Sequence, residues 1–282
     1  MATIISGRGG ASGEGTVINE PERARSPLPR PIVRLPDAEA RSQDARESAA
    51  PAKGQPLDGK LREGIRLFNA RRWEDALHAL MLVDSIGIPT EERIECSYYV
   101  GLCLAKMDRF TDAMPYIEKV IAAEGDMLRV YQCRMTLAYM HITTGRPKMA
   151  EYELSRLLDS GFESAMLFNA LAYSAYQRRH YRHAIEYYEK ALKIEEGNAT
   201  ALNSMGFILA DTGIDPIKGL KLCRKAVEMQ PDNPAYLDSL GWACYKCREP
   251  TAARSWLRKA LALAPQESQI KEHLRVVSGG AL

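Results

Sequence analysis

The chain has 282 residues, with 38 Lys and Arg against 36 Asp and Glu, for a formal net charge of +2 at pH 7. That balance leaves no electrostatic footprint for nucleic acid or an anionic membrane surface, and no run of about 18 apolar residues is present to span a bilayer. The six cysteines, Cys96, Cys103, Cys133, Cys223, Cys244 and Cys247, are scattered instead of framing a small loop-rich unit, which points to a reducing compartment and a cytoplasmic protein. The start of the chain has the apolar pair Ile4-Ile5 but no sustained apolar core and no leading cationic patch, so a secretory signal is not expected.

Residues 1–56 contain no Phe, Trp or Tyr and hold seven of the 15 prolines. Gly, Ser and alternating Arg and Glu supply much of the rest. Such a segment buries too little apolar surface to offset its ordering entropy, so a disordered tail is expected. The run from Gly7 to Gly15 looks like a phosphate-cradling loop, but no helix follows it and it lacks a Gly-Lys-Ser/Thr ending, so it reads as flexible chain. Pro27 to Pro36 could form polyproline II as a docking peptide, but the composition reads first as an extended linker.

From residue 57 the apolar spacing becomes three and four, and the chain divides into helical units. The first, about 57–93, places Gly64, Trp73, Ala76, Leu80 and Val83 in register, with Asp58 and Thr90 as candidate helix caps. The second, 94–130, has Val100-Gly101, Phe110, Ala113, Ile117 and Val120. The third, 131–164, has Leu137-Ala138, Gly145, Ala150, Leu154 and Leu157. The fourth, 165–198, is the clearest: Phe168, Leu171, Ala172 and Ala175 share one face of a first helix, Arg179-His180 turn the chain, and Ala184, Tyr188, Ala191 and Leu192 line a second helix. The fifth, 199–233, repeats this with Met205-Gly206, Gly219, Cys223, Ala226 and Pro231 and a longer turn. The sixth, 234–267, has Leu240-Gly241, Ala253, Leu257, Ala260 and Pro265. Residues 268–278 predict one more helix, with Ile270 and Leu274 on one face, to cap the end. The small residues let two helix backbones approach, and a larger side chain there would overpack the contact by about 1–3 kcal/mol. A two-helix unit cannot bury its apolar stripe alone, so the units must stack.

This set of residues resembles the tetratricopeptide repeat family, whose unit is a helix–turn–helix of about 34 residues with a small residue in the eighth slot, Ala in the twentieth and twenty-seventh, and Pro near the end. The resemblance covers residues 57–267. Departures are Gly125, Phe162 and Glu196 in place of the closing Pro, and about three extra residues in each of the first two units. The resemblance implies an all-α fold, a right-handed α-solenoid of six repeats with a C-terminal capping helix behind the tail.

It also implies a concave groove lined by the first helices. The ninth slot holds Tyr139, Tyr173, Phe207 and Trp242 in four successive repeats; the fifth holds Met135, Asn169, Asn203 and Asp238; the twelfth adds Tyr176 and Tyr245. Aromatic rings give contact area at little rotamer cost, and carboxamides can bond an extended backbone from either side. The implied function is that of a scaffold, adaptor or chaperone-like subunit binding a peptide or helix of another protein. The bland alternative is that these rings fill gaps between helices or touch the chain's own ends. A structural subunit of a larger assembly and an accessory subunit of an enzyme complex remain as other readings, and the oligomeric state stays open. A basic clamp for a chaperone's carboxylate tail needs a Lys–Asn pair in the fifth and ninth slots, and none occurs.

Catalytic, cofactor and metal sites are not expected. Cys244-Tyr245-Lys246-Cys247 has C-x-x-C spacing but no second pair, so the cysteines read as structural. His180 and His183 lack a third ligand. Arg178, Arg179 and Arg182 make a basic spot of the kind usually solvated. No nucleophile elbow, paired acids or Walker loop is present.

Overall fold

The computed structural model describes residues 59–83, 88–123 and 125–279. The expected tail with its glycine and proline segments, the Asp58 cap, and most of the loop before Ile88 lie outside them. Among the described residues every regular element is an α-helix, thirteen in all. They follow one another as hairpins: α1 (Gly59–Asn69) with α2 (Trp73–Met81), α3 (Thr90–Lys106) with α4 (Phe110–Ala123), and α5 (Met127–Thr143) with α6 (Pro147–Asp159). Then come α7 (Ala165–Gln177) with α8 (Tyr181–Ile194), α9 (Ala199–Asp211) with α10 (Pro216–Met229), and α11 (Pro234–Lys246) with α12 (Pro250–Leu263). A single helix, α13 (Ser268–Val277), closes the array.

The turn inside each hairpin has one solution. Arg71, Asp108, Gly145, Arg179, Gly213 and Arg248 all take positive φ, one per repeat. In the fourth repeat Arg179 N–H donates to Tyr176 O at 2.8 Å and His180 N–H to Ala175 O at 2.9 Å. These are the two bonds of a Schellman ending, which satisfies carbonyls that the helix leaves free. The same pair recurs at Arg71/Arg72, Asp108/Arg109, Gly145/Arg146 and Arg248/Glu249. The fifth repeat inserts one residue, and Asp215 N–H reaches Leu209 O instead.

First helices in the later repeats start on side-chain caps. Ser164 Oγ accepts from Leu167 N, Asn198 Oδ1 from Ala201 N, and Asn233 Oδ1 from Ala235 N. Thr90 does not cap: Pro89 occupies the cap position with no side-chain bond, Thr90 is the first helical residue, and its hydroxyl accepts from Arg93. Part of the extra length of the early repeats goes into the first helices. Accordingly α3 and α5 begin at residues 90 and 127, four residues ahead of the expected 94 and 131. Glu91 and Glu92 favour this at α3, since carboxylates in a first turn oppose the helix dipole. Asp126 does so at α5, where its carboxylate accepts from Leu128 N.

Packing follows the small-residue slots. Ala76, Ala113, Ala150, Ala184 and Ala253 are all fully buried at the hairpin interfaces. At Gly101 an added Cβ would lie 2.7 Å from Ile117 Cδ1. Each hairpin also packs on the next, α2 on α3, α4 on α5, and so on to α12 on α13. Polar pairs about one repeat apart stitch the stack: Tyr98 with Gln132, Arg129 with Glu95, and Thr200 with Tyr236.

Candidate functional site

The ninth-slot rings sit in different surroundings along the stack. Tyr139 is half-buried and meets Phe110 edge-on at 5.8 Å. Tyr173 is buried, with its ring 6.4 Å from Tyr176, and half-buried Tyr176 is 5.8 Å from Tyr181. Tyr139, Tyr173 and Tyr176 belong to successive first helices, α5 and α7. Asn169 is buried beside them. Its Nδ2 donates to Asn198 Oδ1 at 3.1 Å, while its own Oδ1 has no protein partner. Asn198 in turn caps α9, so the Asn169 carboxamide is oriented by the start of the next repeat.

Toward the C-terminus the predicted groove residues are covered. Phe207 is 0% exposed, Asn203 1%, Asp238 2% and Trp242 8%. Over Asp238, Trp242 and Phe207 lies α13. His273 is fully buried, its Nδ1 lies 2.8 and 2.9 Å from the two Asp238 oxygens, and its ring stacks on Trp242 at 4.2 Å and 17°. The Phe207 ring is 6.3 Å away. Because a carboxylate only accepts, Nδ1 carries the proton and donates. Trp242 Nε1 donates to Asp211 Oδ1 at 2.9 Å, and Lys246 Nζ reaches Asp211 O at 3.0 Å while standing 5.2 Å over the indole. Tyr245 is half-buried, 5.4 Å from Trp242. An aromatic stack with two buried carboxylates, one imidazole and one amine therefore closes this end.

No sequence motif singles out Asp211, Lys246 or His273. A usable signal exists in the spacing: Asp211 to Lys246 and Asp238 to His273 are each 35 residues apart, about one repeat, with complementary chemistry. The cysteines have the surroundings of packing residues. Burial pushes the Cys244 thiol up to about 11 and Cys103 to about 12, and raises Cys223 further, which keeps them from the reactive thiolate. His180 and His183 are exposed, with rings 6.0 Å apart. Of the basic spot, Arg178 pairs with Glu151. Among the described residues no group of three or more His, Cys, Asp or Glu gathers as a metal site, and no helix is long and apolar enough to cross a membrane.

Two stretches, residues 167–198 and 219–268, match family models of the tetratricopeptide repeat. A TPR repeat-containing protein of Pseudomonas aeruginosa is 39% identical over 80 residues, which is 28% of this chain and 13% of that protein, so the chain spans a small part of that relative. Among solved structures, the Cut9–Hcn1 hetero-tetramer of the APC/C superposes with a TM-score of 0.61 at 13% identity, covering 77% of this chain and 42% of that one. YrrB, described as a TPR protein with an unusual peptide-binding site, superposes with a TM-score of 0.50 at 15% identity, covering 77% of this chain and 98% of that one. Six stacked hairpins with small residues at their close approaches, and the sequence matches at 167–198 and 219–268, show that this chain carries tetratricopeptide repeats.

Proposed function

We propose that the chain is an adaptor that holds an extended or helical segment of another protein along the concave side of its first helices, at Tyr139, Asn169, Tyr173, Tyr176 and Tyr245. The observation that carries this reading is the aromatic run on α5 and α7, half-buried at Tyr139 and Tyr176, next to a buried carboxamide oxygen at Asn169 that no protein group satisfies. Rings of this kind lose little rotamer entropy on contact with a ligand. The peptide-binding site named for YrrB supports the same use of the fold. In this reading Phe207, Asp238 and Trp242 act through α13 and not by direct contact with the partner, and buried Asn203 orders the groove wall from within. The chain has no catalytic role, works without a cofactor, and resides in the cytoplasm, where its thiols stay reduced.

The test is site-specific photo-crosslinking in the native cell, with benzoylphenylalanine at Tyr139 or Tyr176 compared with Tyr152, a 57% exposed residue on α6. One partner crosslinked from both groove positions and absent from position 152 is the expected result. Crosslinks obtained only from position 152 would move the binding surface to the second helices and end this reading.

A further inference from the structure

Alpha-solenoids need a last helix whose inner face is apolar and whose outer face is polar. α13 meets that need with Ile270, Leu274 and Val277, and with Lys271, Glu272 and Arg275 outside. His273 is not required for it. An imidazole driven into the interior against a carboxylate loses its hydration, which an apolar residue at the same position would not. What such a polar socket adds is selectivity, because a segment lacking the matching donor leaves Asp238 buried and unpaired. The socket is also more elaborate than a cap demands: Asp238 supplies the acceptor, Trp242 the stacking face, Phe207 the floor, and Asp211 with Lys246 fix the indole. The connection that leads into α13 is short and solvent-exposed. Residues 265–267 are exposed, and Glu267 at the helix start makes no side-chain cap bond.

We propose that α13 is a ligand held in cis. Its seat on α11 and α12 is a helix-binding site, and the site takes in exchange an amphipathic helix of another protein that presents a histidine among apolar anchors spaced as Ile270, His273, Leu274 and Val277. The anchors fall at i, i+3, i+4 and i+7, the pattern by which a helix lies in a groove. Tethering gives α13 a millimolar-range effective concentration, so an external helix gains entry when the cis latch is weakened or when it binds more tightly. Val276 already packs against the apolar cluster that includes Tyr173, so release of α13 would lengthen the surface described above.

This inference rests on the concave-face reading, and its test uses only the chain's own segment, so a failure here leaves the crosslinking result at Tyr139 and Tyr176 standing. A fluorescein-labelled peptide of residues 268–279 is titrated by anisotropy into the full chain, the full chain with His273→Ala, and the full chain with both His273→Ala and Asp238→Ala. Circular dichroism follows helix content. His273→Ala loosens the latch and leaves the socket intact, so it should bind the peptide at least tenfold more tightly than the unaltered chain. Asp238→Ala should abolish that gain, as should a peptide carrying His273→Ala. Equal binding by the first two chains, or a gain that survives the altered peptide, would overturn the proposal. Should the variants lose helix content, hydrogen exchange in the unaltered chain decides: α13 amides exchanging well ahead of α11 and α12 support a detachable helix, and exchange in step with them rules it out.

Discussion

Single buried polar groups set how this protein responds to acid. His141 lies on α5, buried, with Nδ1 lacking a protein partner. Burial first, and the nearby Arg146 guanidinium second, hold its imidazole below the ordinary value of 6.5. The fold therefore keeps the neutral ring. Its contribution is complete above about 6.5, where the unfolded chain is also neutral, and is lost as the pH falls below that through the lower folded value. Urea midpoints measured at pH 7.5, 6.5 and 5.5 should drop more steeply for the unaltered chain than for His141→Gln, since carboxylate effects are common to both. Parallel slopes would show that His141 takes its proton without resistance.

At the scale of the helix pair, closeness is decided by what the eighth slot meets. In the fifth repeat, α9 and α10 come close enough at Gly206 and Gly219 for backbone to meet backbone. A Cβ on Gly206 would lie 2.8 Å from Gly219 O and 3.0 Å from Cys223 N, and one on Gly219 would lie 2.6 Å from Gly206 O. In the first repeat a Cβ on Gly64 meets Leu80 Cγ and Cδ2 at 2.6 Å, side-chain atoms instead of the facing backbone. Gly206→Ala must push α9 and α10 apart and should cost about 1–3 kcal/mol. Gly64→Ala should cost less, since a side chain shifts more readily than a facing backbone and the helix gains up to about 1 kcal/mol in propensity. Thermal unfolding of both variants checks the order, and a reversed order would mean that α9 and α10 slide more easily than their contact implies. These positions could be read in advance, because a small residue recurring at a fixed spacing has no other use on an apolar stripe. The early starts of α3 and α5 could not. The residues preceding residue 94 suit a loop or a first turn equally, and the choice falls to caps and dipole.

Across the whole stack, the array of hairpins follows from period and small residues, whereas the exposure of the groove does not. Whether Phe207 or Tyr176 meets solvent depends on how far each repeat rotates against the next and on where α13 comes to rest. Those are summed geometric quantities that leave no mark on any one repeat. The same summation makes stability uneven. Each hairpin draws on its own interface plus those with its neighbours. The pairs α7–α8 and α9–α10 are packed on both sides, and Leu192, Leu222 and Tyr245 join the apolar cluster of the middle repeats to that of the last ones. Among the described residues α1 and α2 have a packed neighbour on one side only, α2 is nine residues long, and Met81 and Leu82 at its end are exposed. Short helices with one interface open at low free energy. Amide exchange followed by mass spectrometry should therefore show α1 and α2 exchanging first, α3 and α4 next, and α7 to α10 last, with α5 divided because Leu137 and Met140 pack toward the first repeats and Met135, Ala138 and Ile142 toward the middle ones. Exchange at a single rate from α1 to α12 would mean the stack opens as one cooperative unit, and nearest-neighbour reasoning would not apply to it.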